Sequence, residues 1–528
     1  MKNMKFIITL LLSLFALSSC VKEKEYSGDE LEARALRAWI KKNRPELIQN
    51  YQQTGGYYVD VLAWGDTEAT AESTTTESND LGNLPIMEQD TCWVFYNFTG
   101  YDLDGNVCST RKEMVARMQA TFSDRTHYVP YGNYCGKEEF YAIVEGSYLA
   151  SRNKITLGEE YVASKNDICK GTELMLRKGS KVRLYLASTI GYGSDGSSSE
   201  GGYEGQYTLA ANVPMILDME VIRVVKNPSD NELEMVNQVV KISNDSSEFT
   251  AWYQVENTED SDSDSDSDGD NDTENSSDTE DTEGEGSEKK YYEGLYYSSS
   301  FTPTEEFAHL VHARPDMAGT GNAYEDTQRF VNMAEFDKKL WKILDEKFAE
   351  DIAETTEEDA KEIGEDNTAM IWYVGRFLDG FIFDTNIDEV KELAFGETDG
   401  GGSSISYSVS SSKDEYISAW AHCIPKLRYG RWGAIITTSG YAYGSTGVSA
   451  STSTSSSSSA AYNALANLYN YYSMMGSSYY NAYSYYNYYN YYGGYNNYYD
   501  YEDTTSTIET EIAPYTPLIF YIFIEPTE

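Results

Sequence analysis

Tyr373-Val-Gly375-Arg-Phe-Leu378-Asp-Gly-Phe-Ile-Phe383-Asp384 decides how this chain is read. Two short apolar runs flank the turn residues Leu-Asp-Gly, which is the pattern of a strand, a tight turn and a second strand. Further along, Ile417, Trp420, Ile424 and Leu427 repeat at three and four within Glu415 to Leu427, so this stretch is expected to be a helix. Tyr429-Gly430 ends it, and Ala434 to Thr438 resumes as a strand. Tyr441-Ala-Tyr443-Gly444 and Phe520 complete a spaced aromatic set that offers carboxylate and phenol groups and no nucleophile. An apolar pocket of that composition suits chemistry that twists a bond without breaking one.

Set side by side, these pieces resemble the FKBP family, the macrolide-binding peptidyl-prolyl cis/trans isomerases. The resemblance lies in the Tyr-x-Gly strand, the Phe-Asp pair, the helix entered at Tyr416-Ile417 and carrying Trp420, the Tyr-Ala-Tyr-Gly turn and the final strand at Phe520, and it covers residues 369–526. It implies an α+β fold in which an antiparallel sheet wraps a short helix as a half-barrel. It also implies a pocket lined by Tyr373, Phe383, Tyr407, Ile512 and Phe520 with Trp420 as its floor. Tyr443 and the Ile417 backbone N–H would hold substrate carbonyls, Asp384 would polarise the bond, and no cofactor or metal would be needed. The partners implied are proline-containing polypeptides. Three positions depart from the family pattern: Ala419 replaces a glycine, Tyr416 replaces a valine, and no arginine follows Asp384 to pair with it.

The first half repeats the pattern in worn form, which makes the protein an internal duplication. Gly100-Tyr-Asp-Leu103-Asp104-Gly105 matches Gly375 to Gly380, Gly179 precedes Tyr192-Gly193 at the interval that separates Gly430 from Tyr443-Gly444, and Pro214 to Leu217 echoes Pro517 to Phe520. Phe98 stands at the tyrosine position, Cys108-Ser109 replace Phe-Asp, Cys169 takes the tryptophan position and Leu217 the last phenylalanine, so this copy is expected to be non-catalytic. Because the family equivalents of Cys108 and Cys169 face one pocket, the resemblance implies a disulfide between them that plugs the old site. Cys92 and Cys135 make the cysteines of this copy even in number, which suits either bridges, with three possible connectivities, or four buried free thiols.

Met1 to Lys5 is basic, Phe6 to Leu17 is apolar, and Leu17-Ser-Ser-Cys20 resembles a bacterial lipobox, so Cys20 is expected to become the lipidated first residue of a chain tethered to an outer membrane. Lys22-Glu-Lys-Glu25 is similar to the export signals of Bacteroidota surface lipoproteins. Over 528 residues the formal charge is -46, which repels a phosphate backbone and excludes a nucleic-acid binder. Much of that charge lies in Glu256 to Glu288, expected to be an acidic linker that separates the copies. Inside it Asp264-Ser-Asp266-Ser-Asp268-Gly269 has the spacing of a calcium loop, but Asn275 stands where a bidentate glutamate is required, so loose attraction of cations is the expectation. A second block, Ser445 to Thr510, runs from serine into tyrosine and asparagine beside the expected pocket mouth, where it either captures polypeptide or glycan or is an uncommitted insertion.

The expected division is 1–20 signal peptide, 21–90 helix and lead-in, 91–228 degenerate copy, 229–256 connecting strands, 257–290 acidic linker, 291–365 strand and accessory helices, and 366–528 second copy with its insertion at 445–510. The leading functional expectation is proline isomerisation by the second copy in the folding of exported or surface proteins. The alternative is a non-enzymatic surface lipoprotein whose half-barrels are a binding scaffold in an outer-membrane complex.

Overall fold

In the computed structural model the residues described are 27–66, 79–137, 143–194, 196–197, 208–245, 252–257, 290–301, 323–365, 367–396, 400–412, 415–448 and 510–527. Cys20, the calcium-loop spacing and all but the ends of the Ser/Tyr-rich block lie outside them. The first copy carries β1 (Tyr51–Gln52), β2 (Tyr57–Trp64), β3 (Trp93–Tyr101), β4 (Val107–Thr110), β5 (Tyr131–Tyr134), β6 (Ile155–Thr156), β7 (Glu173–Leu174), β8 (Ser180–Leu186) and β9 (Met215–Val225). The second carries β10 (Tyr253–Glu256), β11 (Tyr291–Ser298), β12 (Thr368–Phe377), β13 (Ile382–Thr385), β14 (Ile405–Ser408), β15 (Arg431–Thr437) and β16 (Leu518–Ile524).

Two antiparallel seven-stranded sheets follow one plan. The first runs β1-β2-β8-β9-β3-β4 with β5 also on β3, and the second runs β10-β11-β15-β16-β12-β13 with β14 also on β12. The registers agree to the residue: Gly100 faces Ser109 and Leu217, as Gly375 faces Asp384 and Phe520. The ladder then shifts between Gly100 and Tyr101 as it does between Gly375 and Arg376. The architecture is mixed helix and antiparallel sheet, and the expected substitutions of Ser109 for Asp384 and Leu217 for Phe520 occupy equivalent sheet positions.

The division between the copies differs from the expected one. Residues 229–256, expected as connecting strands, open with the helix Pro228–Asp245. Asn227 caps it, its side-chain oxygen accepting from Ser229 N–H at 3.0 Å, and proline fills the first helical position, where no N–H is needed. Glu232, Val236, Val239, Val240 and Ser243 are its buried stripe. Three of these are valines, whose β-branching favours a strand although their spacing is that of a helix. β10 then pairs with β11, Glu256 opposite Tyr291, so the acidic segment joins the two strands of one hairpin and does not lie between the copies. The first copy makes the same hairpin, Gln52 opposite Tyr57, with a short turn. Its leading helix, Gly28–Asn43, is the counterpart of Pro228–Asp245, with Ser27 as its N-cap.

Two cores lie in the second copy. One packs the sheet against the helix Ser418–Cys423 and holds the aromatic set. The other is closed by the helices Pro228–Asp245, Ala323–Glu354 and Asp388–Phe395. With both faces covered, β16 reads Leu-Ile-Phe-Tyr-Ile-Phe-Ile and is buried throughout, whereas β9 keeps partly exposed positions along its length. Among the described residues, no helix is long and apolar enough to cross a membrane.

Among the described residues the first copy meets the second at three places, one of them Arg125, whose guanidinium lies 5.6 Å from the Phe395 ring. His127 reaches the β12–β13 turn, and Trp93 and Arg111 reach Tyr515 and Glu511.

Candidate functional site

The turn between β12 and β13 fixes the first wall. At Gly375 a Cβ would lie 2.5 Å from Phe383 Cζ, so only glycine lets the Phe383 ring cross the strand. Phe383 then meets Phe520 edge-to-face at 5.6 Å, Phe520 meets Trp420 at 5.7 Å, and Trp420 meets Tyr373 at 5.4 Å, a T-shaped relay that suits aromatic quadrupoles. Tyr407 closes the row 6.3 Å from Trp420. Tyr373, Phe383, Tyr407, Trp420, Ile512 and Phe520 are buried in one cluster, with Ile417 and Tyr443 at its half-buried margin. Ile417 sits at the entry to the helix, its carbonyl accepting from Trp420 N–H at 2.9 Å.

Asp384 is buried at this wall and accepts the Tyr373 hydroxyl proton at 2.5 Å. Tyr373 therefore supplies a donor where no arginine is available. Desolvation and then the Asp384 charge push the Tyr443 phenol well up from its ordinary value, so it stays a donor at neutral pH. Tyr416, at the departed valine position, lies parallel to Trp420 at 5.3 Å and 16°, so one face of the floor is already covered by a ring of the chain itself.

The Ser/Tyr-rich block leaves and returns beside this site. Val448 and Ile512 exchange two backbone hydrogen bonds of 2.8 Å, and the Thr510 N–H donates to the Phe383 carbonyl at 3.1 Å. The block therefore begins and ends on a closed stem that includes two expected site residues.

In the first copy Tyr192 and Ser109, the counterparts of Tyr443 and Asp384, hydrogen-bond to one another at 3.0 Å. The expected Cys108–Cys169 bridge is not formed: both thiols are free and buried. Their surroundings differ, because Cys108 lies by Ser109 and Tyr192 whereas Cys169 follows the helix Glu159–Ser164 near Lys165 and Tyr161. Desolvation pushes the Cys108 thiol up to about 11, so it is a neutral core group. The cysteines that are neighbours are Cys92 and Cys135, opposite each other just beyond β3 and β5, with the Cys135 N–H donating to the Cys92 carbonyl at 2.8 Å. Among the described residues, no group of three or more His, Cys, Asp or Glu is placed to hold a metal ion.

One pair of residues was not found from sequence. Ser439 opens the turn that presents Tyr443, and its carbonyl accepts from Ala442 and Gly444 N–H, both at 2.8 Å. Its own N–H and hydroxyl donate to the two carboxylate oxygens of Glu232 at 2.6 and 2.7 Å. The first copy repeats this staple with Glu32 and Ser188, both bonds at 2.5 Å. Burial raises the Glu232 carboxyl from 4.5 to about 7 against the lowering effect of the Ser439 donors. A carboxyl raised on folding contributes stability that is fully present below about 4.5 and is lost as pH rises through about 7. Glu232→Gln, which cannot ionise, is expected to flatten that dependence. Urea unfolding between those pH values should show wild type losing on the order of 2–3 kcal/mol relative to the variant.

No protein-family model matches the chain, and no curated protein matches it. Solved structures similar to it include the three FKBP domains of wheat FKBP73, at 10% identity over 90% of this chain and 95% of that one, with a TM-score of 0.19. FkpA from Escherichia coli is similar at 14% identity over 42% of this chain and 72% of that one, TM-score 0.20. A peptidyl-prolyl cis-trans isomerase from Pseudomonas syringae pv. tomato is similar at 14% identity over 38% and 99%, TM-score 0.19.

Proposed function

We propose that the second copy is a peptidyl-prolyl cis/trans isomerase of FKBP type that assists the folding of exported or surface proteins. The observation that carries this reading is the convergence of Tyr373, Phe383, Asp384, Trp420, Tyr443 and Phe520, drawn from five separate segments, on one apolar cluster holding a single buried carboxylate. The barrier to be lowered is about 20 kcal/mol, because the imide C–N bond has partial double-bond character. Twisting that bond localises the nitrogen lone pair and reduces charge separation, so a dry aromatic site favours the twisted state over the planar one. In this reading the Tyr443 hydroxyl and the Ile417 N–H hold the carbonyls, and Asp384, held by Tyr373, polarises the bond. The chain is tethered through a lipid on Cys20 to an outer membrane.

A second reading is favoured by the Tyr416 ring on Trp420: a site filled by its own chain, retained as a binding scaffold in an outer-membrane complex. Turnover of a peptide with an apolar residue before proline, measured on the full-length mature chain, separates the two. Under the isomerase reading Tyr443→Phe loses one hydrogen bond, a net effect of about 0.5–1.5 kcal/mol. Asp384→Asn should cost more than that. Tyr416→Val should raise turnover by roughly two- to twelve-fold, the value of one ring stack that substrate no longer has to displace. Absence of turnover in both wild type and Tyr416→Val would leave the scaffold reading.

A further inference from the structure

We propose that the first copy braces the site of the second, with His127 as the positioning residue of the β12–β13 turn. His127 Nε2 lies 2.7 Å from Asp379 Oδ2, and both side chains are only 11% exposed. The imidazole stacks on Phe377 at 4.3 Å and 4° and lies 4.9 Å from Phe381, so it sits against both aromatic residues that bracket the turn. Asp379 also caps this turn, its other oxygen accepting from Phe381 N–H at 3.2 Å. Phe377 in turn contacts Phe383 at 5.3 Å, so a ring from the first copy is one residue removed from the pocket wall.

A second brace falls on the stem that closes beside Phe383, where the Thr510 N–H donates to the Phe383 carbonyl. Trp93 meets Tyr515 edge-to-face at 4.7 Å and Arg111 reaches Glu511 at 3.1 Å, which flanks Ile512 in the closed stem. The two braces start from separate segments of the first copy and end on the two segments that adjoin Phe383, the β12–β13 turn and the stem. A copy that has lost its own aromatic set thus retains a mechanical part in the site of its partner. Surface loops that carry a site are otherwise among the least stable parts of a fold, and an external contact of this kind raises their protection.

The proposal rests on the isomerase reading only for what the braced site does, so its test begins with a measurement that needs no activity. In the full-length chain, amide hydrogen exchange of the 377–384 segment is expected to speed up by about ten-fold in His127→Ala and in Asp379→Ala, with the β8 and β9 amides unchanged. His127→Phe, which keeps the stack and loses the pair, should restore part of the protection. Where peptide turnover is present, His127→Ala should raise KM more than it lowers kcat, because the wall that meets substrate has loosened. Unchanged exchange of this segment in both alanine variants overturns the brace, whatever the outcome for turnover. Faster exchange in a chain without turnover upholds the brace and rejects the isomerase reading alone.

Discussion

Asp337→Ala is expected to destabilise the second copy by about 3–5 kcal/mol, because it leaves the Arg376 guanidinium without its counter-charge in a site shielded from water. Both side chains are 0% exposed and their charged atoms are 2.5 Å apart. Arg376 also donates through Nε to the Gly380 carbonyl at 2.6 Å, and its guanidinium lies 5.7 Å from the Trp341 ring. The pair therefore ties the β12–β13 turn to the long helix Ala323–Glu354 on the face opposite the aromatic site. The loss should come from the stranded charge, not from the missing attraction. Replacing both partners by apolar residues of similar volume, Arg376→Met with Asp337→Leu, should recover most of it. Urea denaturation of the single and double variants measures the difference, and a double variant as unstable as Asp337→Ala would reject this account.

Phe383→Ala should have an effect of similar size on stability and a larger one on turnover. Removing a buried phenylalanine costs about 3–5 kcal/mol through lost transfer energy and the cavity left behind. Here the cavity opens between Phe377, Phe520 and the bare backbone of Gly375, which has no side chain to move in. Water admitted at that point reaches Asp384 on the same strand and removes the dry surroundings that favour a twisted imide. Turnover, measured well below the unfolding midpoint of the variant, should fall further than in Tyr443→Phe or Asp384→Asn. Phe383→Leu, which refills most of the volume, should recover stability more than turnover. Equal recovery of both would mean that the ring serves packing alone.

The aromatic set was legible because each member lies in a local pattern: Tyr373 and Gly375 in a strand, Phe383 after a Leu-Asp-Gly turn, Trp420 on a helical period. The glycine registers also located the equivalent sheet positions of the two copies, since Gly100 and Gly375 mark the same ladder shift. What escaped was set by distance along the chain or by disguise. Glu232 and Ser439 are 207 residues apart, and no local pattern pairs them. The helix Pro228–Asp245 carries three buried valines, a residue type that favours strands, and the acidic run after β10 reads as a linker although the strands on either side of it pair. Cys108 and Cys169 stand at positions whose family equivalents face one pocket, but here one lies by Ser109 and Tyr192 and the other near Lys165 and Tyr161. Tyr416 departs from the family pattern in sequence, but only the ring geometry shows that it lies over Trp420.

The paired staples, Glu32 with Ser188 and Glu232 with Ser439, bear on ancestry. A contact made by the same residue types, between the leading helix and the same turn in both copies, is most simply inherited from one unit that already had it before doubling. That ancestral unit was led by a helix and included the edge hairpin, so its descendants meet between Val225 and Pro228 and not in the acidic segment. A piece beginning at Tyr291 would discard a strand, a helix and the carboxylate that holds the Tyr443 turn. The natural place to sever the two descendants is the short stretch 226–227.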